Sequence, residues 1–290
     1  MPIAASELIL NNDGSIYHLH LKPEHLAKTV ITVGDPDRVD QITQYFDHIE
    51  FSIRKREFHT QTGTYKNKRI TVISTGIGTD NIDIVLNELD ALVNIDLKTR
   101  TIKKKHTALD IIRIGTSGAM QKDIKVDSFV ISNIAIGFDN LLHFYENQHV
   151  LHQKIASALI EHLQWNLLKP IPYVVAGDTM LIAHMKSAAT TTGITITNPG
   201  FYGPQSRILR LPLQDENLLN KLVSFSYKES RITNLEMETA GIYGLSKLLG
   251  HRAVSLSVIL ANRTTGSFSK NPKKSIENII EYTLNRMNSY

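Results

Sequence analysis

The stretch KTVITVGDPDRVDQITQYF, residues 28–46, carries the reading of the fold. Its β-branched run ends at Gly34, and the residues that follow place apolar side chains at helical spacing, with Pro36 suited to a helix's first turn. The same sequence of strand, glycine and helix recurs. RITVIST (69–75) runs into Gly76-Ile77-Gly78, and TDNIDIVLNELDALV (79–93) sets Ile82, Val85, Leu86, Leu89 and Val93 on one helical face. ALDIIRIG (108–115), SFVISNIAI (128–136), YVVAG (173–177) and HRAVSLSVILAN (251–262) read as further strands, and PKKSIENIIEYTLNRM (272–287) as a closing amphipathic helix. Such alternation predicts an α/β fold, a mixed β-sheet sandwiched by helices, in one domain over residues 1–290. Two polar stretches, 94–107 and 183–200, read as insertions in that domain.

Composition narrows the setting. The 290 residues include no cysteine, which excludes disulfides and thiolate metal sites. The opening MPIAASELIL lacks a basic region followed by a long apolar run, and no apolar segment reaches membrane-spanning length, so a cytoplasmic protein without a membrane partner is expected. The net charge of +4 is mild, because 32 basic residues face 28 acidic ones. Without aromatic residues set among the basic ones, no nucleic-acid partner is expected. Lys103-Lys104-Lys105 reads as solvated charge, and His18 and His20 as one face of a strand rather than a metal site.

Sheets of this kind bind ligands beyond the carboxyl ends of their strands. GDPDR (34–38), TGIG (75–78), RIGTSGA (113–119), NLEMET (234–239) and ANRTTG (261–266) therefore draw attention. Arg38 and Arg113, beside Gly34, Gly115 and Thr116, suit a phosphate, which guanidinium groups and exposed N–H groups bind together. A salt bridge to a nearby carboxylate is the alternative use of Arg113. Glu236 and Glu238 suit a metal, an acid/base pair, the hydroxyls of a ligand, or plain solvated charge. GIG lacks the third glycine of a dinucleotide fingerprint, and GTSGA does not match a hydrolase nucleophile elbow.

Taken in order and at their spacing, VGDPDRV, STGIG, RIGTSGA, NLEMET and LANRT resemble the nucleoside phosphorylases of the uridine phosphorylase type, from about residue 16 to residue 264. The resemblance implies that Glu238 holds the ribose 2′- and 3′-hydroxyls, with Met237 packed on the sugar and Glu236 in support. It implies a phosphate site of Gly34, Arg38, Arg113 and Thr116, with Arg56 reaching in from a neighbouring subunit, and His18 reaching the sugar across the same interface. The expected assembly is a homo-oligomer, dimer or hexamer. FYGPQSR (201–207) resembles the pyrimidine pattern of the family and gives Phe201, Gln205 and Arg207, with Arg263 beyond them at the base. Purine-cleaving relatives carry an aspartate after the last long strand, where this chain reads Asn262-Arg263-Thr264. The implied reaction is phosphorolysis of uridine, with nucleoside and phosphate as partners and no cofactor. A structural potassium ion at Glu57, Ile77 and Asn81 is the one metal that the resemblance suggests. A hydrolytic nucleosidase, a purine phosphorylase and a catalytically idle nucleoside-binding protein are the rival readings.

Overall fold

Each apolar run marked in the sequence becomes a strand in a computed structural model that describes residues 2–288. The first half contains β1 (Thr29–Val33), α1 (Asp37–Thr43), β2 (His48–Lys55), β3 (Phe58–Tyr65), β4 (Lys68–Ser74) and α2 (Thr79–Asn94). A small hairpin, β5 (Ile95–Asp96) and β6 (Thr101–Ile102), precedes β7 (Asp110–Ala119) and β8 (Phe129–Gly137). Then come α3 (Gln153–Leu163), β9 (Tyr173–Ala176), α4 (Thr179–Met185) and β10 (Thr190–Thr197). The chain ends with α5 (Leu218–Ser224), β11 (Ser226–Tyr227), β12 (Ser230–Glu236), α6 (Thr239–Leu248), β13 (Arg252–Asn262), β14 (Ser267–Phe268) and α7 (Pro272–Asn288).

The main sheet has 12 strands in the order β11-β12-β10-β8-β13-β7-β1-β4-β3-β2, with β9 beside β8 and β14 beside β13. It is mixed: β1 runs parallel to β4 and β7, whereas β13 runs parallel to β7 and antiparallel to β8. One further pairing bends it. Asn234 and Leu235 of β12 pair antiparallel with Ala119 and Gly118 of β7, so β7, β13, β8, β10 and β12 close into a ring.

Helices cover the sheet because each offers one apolar stripe. Ile82, Val85, Leu86 and Leu89 of α2 pack with Ile242 and Leu245 of α6 in one buried cluster. Val39 and Ile42 of α1 and Ile279 and Leu284 of α7 cover the other side, against Ile31, Ile112 and Val254. Around the far part of the ring, Leu159 of α3 and Leu222 of α5 bury Ile194 and Ile196 of β10.

That last contact corrects the sequence reading of 183–200. TTTGITIT (190–197) is an interior strand, hydrogen-bonded parallel to β8 on one side and β12 on the other. Its threonines read as polar, yet Thr195 and Thr197 are fully buried. Their hydroxyls donate to Asn234 Oδ1 at 2.8 Å and Glu236 Oε1 at 2.6 Å. A β-branched residue fits a pleated strand, and a bonded hydroxyl costs little to bury. The 94–107 stretch does leave the main sheet, as the β5–β6 hairpin followed by exposed Lys103, Lys104 and Lys105. His18 and His20 share no strand face, because Tyr17–Leu19 form a turn and His20 has a left-handed φ of 55°.

Ile196→Ala should lower the free energy of unfolding by about 2–5 kcal/mol, the range for emptying a packed aliphatic site. Lys104→Ala should stay within about 0.5 kcal/mol of wild type, as exposed positions do. Denaturant titration at one protein concentration separates the two. Equal effects would show that residues 190–197 do not form core.

Candidate active site

A cavity of about 700 Å³ opens where several strands end, and Gly34 after β1, Gly76 after β4, Thr116 of β7, Glu236 of β12 and Ala261 of β13 all line it. Two arginines are on its wall. Arg38 sits in the first turn of α1, held there by the Gly34-Asp35-Pro36 bend, and its Nη1 reaches the Ile114 carbonyl at 3.4 Å. Arg113 lies inside β7 and folds back over Gly115. A Cβ at that glycine would collide with Arg113 Nη1 and stand 2.6 Å from its Cζ, so the position must lack a side chain. Arg38 Nε and Arg113 Nη1 are both buried without a hydrogen-bond partner. Burial, and then the charge of Arg113, pull the Arg38 pKa down. Two buried cations lining one cavity, each with an unpartnered N–H, suit an anion.

Arg113 spends its other nitrogen on carboxylates. Its Nη2 donates to Glu238 Oε2 and lies 3.3 Å from Glu236 Oε2. Burial alone would lower the Arg113 pKa, but the two carboxylates outweigh it and hold the guanidinium above its usual value. Burial lifts the Glu238 carboxyl above the ordinary range, against the pull of Arg113, and the charge of Glu236 adds to the lift. The N–H of Gly78, whose φ of 99° suits only glycine, donates to Glu238 Oε1 at 2.9 Å.

The two glutamates have unequal roles. Glu236 ends β12, and its oxygens accept from Thr197 Oγ1 at 2.6 Å, Glu238 N at 2.9 Å, Thr239 N at 2.9 Å and Thr239 Oγ1 at 2.8 Å. That carboxylate is occupied by its own protein and works as the anchor of the turn into α6. Glu238, with one oxygen on the Gly78 N–H and the other on Arg113, and the half-buried Met237 line the same wall. They converge because the strand stops at Glu236 and the chain turns, not because alternate strand residues share a face.

Phe201, Gln205 and Arg207 also line the cavity, with Leu260, Ala261 and Phe268. Gln205 is buried on a one-turn 3-10 helix, Gly203–Gln205. The Arg207 guanidinium lies 3.8 Å over the Phe201 ring and donates to the Phe201 carbonyl at 2.8 Å and to Gln205 Oε1. Burial and the neighbouring Arg263 pull the Arg207 pKa down to about 10. Arg263 itself is behind this loop rather than on the cavity wall, donating to the carbonyls of Gln205 at 3.0 Å and Ser206 at 3.2 Å. The apolar half of the wall, Leu260, Ala261 and Phe268, was not picked out from sequence. Thr264-Thr265-Gly266, the turn joining β13 to β14, was the available signal for Phe268.

Glu57, Ile77 and Asn81 gather at the same cavity. Arg56 and His18 are not among its lining residues; they cluster around Tyr17. The Arg56 guanidinium lies 5.9 Å over the Tyr17 ring, whose edge meets the His18 ring at 4.8 Å. Among the described residues, Asp90, His106 and His251 are a separate gathering of potential metal ligands. There the Leu109 N–H donates to His251 Nδ1 at 3.2 Å, which leaves the ring proton on Nε2, 3.3 Å from Asp90.

A family model described as the phosphorylase superfamily matches residues 28–284. The chain belongs to the phosphorylase superfamily. It is 30% identical over 268 residues to a uridine phosphorylase of Thermococcus kodakarensis, covering 90% of this chain and 83% of that protein. It is 24% identical over 250 residues to a purine nucleoside phosphorylase of the DeoD type from Bacillus subtilis, covering 86% of this chain and 88% of the other. Among solved structures, a Trypanosoma brucei nucleoside phosphorylase that shows uridine phosphorylase activity superposes with a TM-score of 0.88 at 29% identity, over 98% of this chain and 100% of that one. A superfamily member with this cavity is an enzyme of the nucleoside phosphorylase type, and the fold is theirs.

Gly115→Ala should displace Arg113 and destabilise the protein by up to about 3–5 kcal/mol, the scale for breaking a buried ion pair. Gly118→Ala, whose added Cβ would stand 3.4 Å from Arg263 Cγ in ordinary contact, should leave stability nearly unchanged. Calorimetric unfolding of the pair checks the claim that Arg113 needs the space above Gly115.

Proposed function

We propose that this enzyme catalyses reversible phosphorolysis of a pyrimidine nucleoside: uridine and phosphate give uracil and ribose 1-phosphate. The observation that carries the reading is the pair of buried, unpartnered nitrogens, Arg38 Nε and Arg113 Nη1, in the cavity that also holds Glu238 and Gln205. A hydrolytic nucleosidase would have no use for them. Phosphate docks against Arg38, Arg113, Thr116 and the Gly34 backbone. The Glu238 carboxylate accepts the ribose 2′- and 3′-hydroxyls, and Met237 packs on the sugar. The C1′–N1 bond breaks with its electron pair left on uracil, while a phosphate oxygen forms the new bond to C1′. Gln205 and Arg207 meet the polar edge of uracil and stabilise the charge it gains. Catalysis rests on positioning and electrostatics, with phosphate as co-substrate and no cofactor.

The base assignment rests on Asn262 as well. Its Nδ2 donates to the carbonyls of Gln121 and Ile124, each at 2.8 Å, and its Oδ1 accepts from Thr264 N at 2.9 Å. The position that would hold a purine-protonating acid is thus a fully bonded brace. His18 and Arg56 cluster with Tyr17 and neither lines the protomer's own cavity, which favours a homo-oligomer of at least two chains in which this cluster completes the neighbour's site. Glu57, Ile77 and Asn81 at the cavity supply a carboxylate, a carbonyl and an amide. These are hard oxygen donors suited to a monovalent cation between subunits.

Uridine cleavage should require phosphate and exceed inosine cleavage by orders of magnitude, because a purine would leave Gln205 and Arg207 unpaired. Robust inosine phosphorolysis would overturn the pyrimidine assignment and spare the phosphorylase one. Arg38→Ala should lower kcat/KM for phosphate roughly 10- to 100-fold, the scale of a lost charge-assisted hydrogen bond. It is a cleaner probe than Arg113→Ala, which would strand two buried carboxylates.

Mixing inactive Arg56→Ala chains with inactive Glu238→Ala chains should restore part of the activity, since one hybrid site is then intact. Hybrids that form, as shown by mass, yet stay inactive would contradict a shared site.

A further inference from the structure

His18 is not simply exposed at the surface; its turn is wrapped around one carboxylate. Glu88 of α2 accepts the backbone N–H of His18 at 3.0 Å, the backbone N–H of Leu19 at 2.8 Å and a bond from His18 Nδ1 at 2.6 Å. The Glu88 side chain is 12% exposed and the His18 side chain 27%, so the grip is largely shielded while the ring keeps an open edge. No feature of the sequence near His18 points to Glu88, which is 70 residues away.

We infer that Glu88 is a positioning residue that fixes the tautomer of His18 and so makes it an acceptor for a sugar hydroxyl of the neighbouring subunit's nucleoside. An ionised carboxylate has no proton to give, so Nδ1 must carry the hydrogen of that bond. In the neutral ring Nε2 is then a bare lone pair on the open edge. Glu238 takes the 2′- and 3′-hydroxyls, which leaves the 5′-hydroxyl as the group for Nε2 to accept from. Tyr17, edge-on to the His18 ring and under Arg56, keeps the two donated side chains together. The inference rests on the proposed reaction and on the shared site.

Glu88→Gln tests it without emptying the space. A glutamine has one oxygen, which the two backbone N–H groups claim, and its NH2 then faces Nδ1. The ring must shift its proton to Nε2 and turn from acceptor to donor. Histidine-selective 15N labelling at pH 8, where imidazole is ordinarily neutral, should show the Nδ1–H tautomer for the signal that His18→Ala removes. That signal should move towards the Nε2–H form in Glu88→Gln. With uridine, Glu88→Gln and His18→Ala should each lower kcat/KM roughly three- to tenfold, the scale of one neutral hydrogen bond. The double variant should be no worse than His18→Ala alone, and both penalties should vanish on 5′-deoxyuridine. A wild-type ring that is charged or Nε2–H, or a flipped ring with unchanged uridine kinetics, would overturn the inference. If the wild type prefers inosine, the base reading fails separately, and the same comparison with inosine and 5′-deoxyinosine decides the role of Glu88.

Discussion

The buried contact of Arg113 with Glu236 and Glu238 is the constraint on which the site depends. Three charged groups meet where water is excluded, and such a cluster persists only if every remaining donor and acceptor is satisfied. Glu236 is satisfied by Thr197, Thr239 and the Glu238 N–H, and Glu238 by Gly78. What is left over is Arg113 Nη1, which like Arg38 Nε is buried without a hydrogen-bond partner on a side chain that lines the cavity. An unmet hydrogen-bonding demand of this kind suits an anion.

Closing the sheet makes that cluster possible. Arg113 is on β7 and the glutamates are at the end of β12, and the two strands are joined by the pairing of Gly118 and Ala119 with Leu235 and Asn234. Side chains lock the seam: Ser117 Oγ donates to the Leu235 carbonyl at 2.7 Å, Asn234 Nδ2 donates to Ser117 Oγ at 2.8 Å, and Thr195 Oγ1 donates to Asn234 Oδ1 at 2.8 Å. The buried threonines of β10 thus serve the site as well as the sheet. Gly115 keeps the space above β7 clear for the guanidinium.

The cavity wall combines several chemistries: the cations of Arg38 and Arg113, the carboxylate of Glu238 and thioether of Met237, and the amide of Gln205, the guanidinium of Arg207 and apolar side chains. Not every polar residue here is left for a ligand: Glu236, on the wall, is spent on a helix start, and behind the wall Asn262 is spent on a loop and Arg263 on the carbonyls of Gln205 and Ser206. Residue type alone does not distinguish the two groups.

The sequence by itself determined the alternation of strand and helix, the strand-end segments that carry ligand chemistry, and the family. These signals are local: apolar period, a glycine at a strand end, and short motifs in order. Gly34, Arg38, Arg113, Thr116, Phe201, Gln205, Arg207, Met237 and Glu238 all came through as cavity residues for that reason. The tertiary structure decided the rest. TTTGITIT became an interior strand because its hydroxyls find partners on β12, a fact that no count of polar residues contains. Arg113 turned out to make the carboxylate contact the sequence left open and still to line the cavity with a second nitrogen unpartnered. Glu88 became the holder of His18, and Arg263 the support of a loop, through contacts between residues distant in the chain. Hydrogen-bond satisfaction is a property of the folded neighbourhood, so which polar residue is spent and which is left for a ligand was written only in three dimensions.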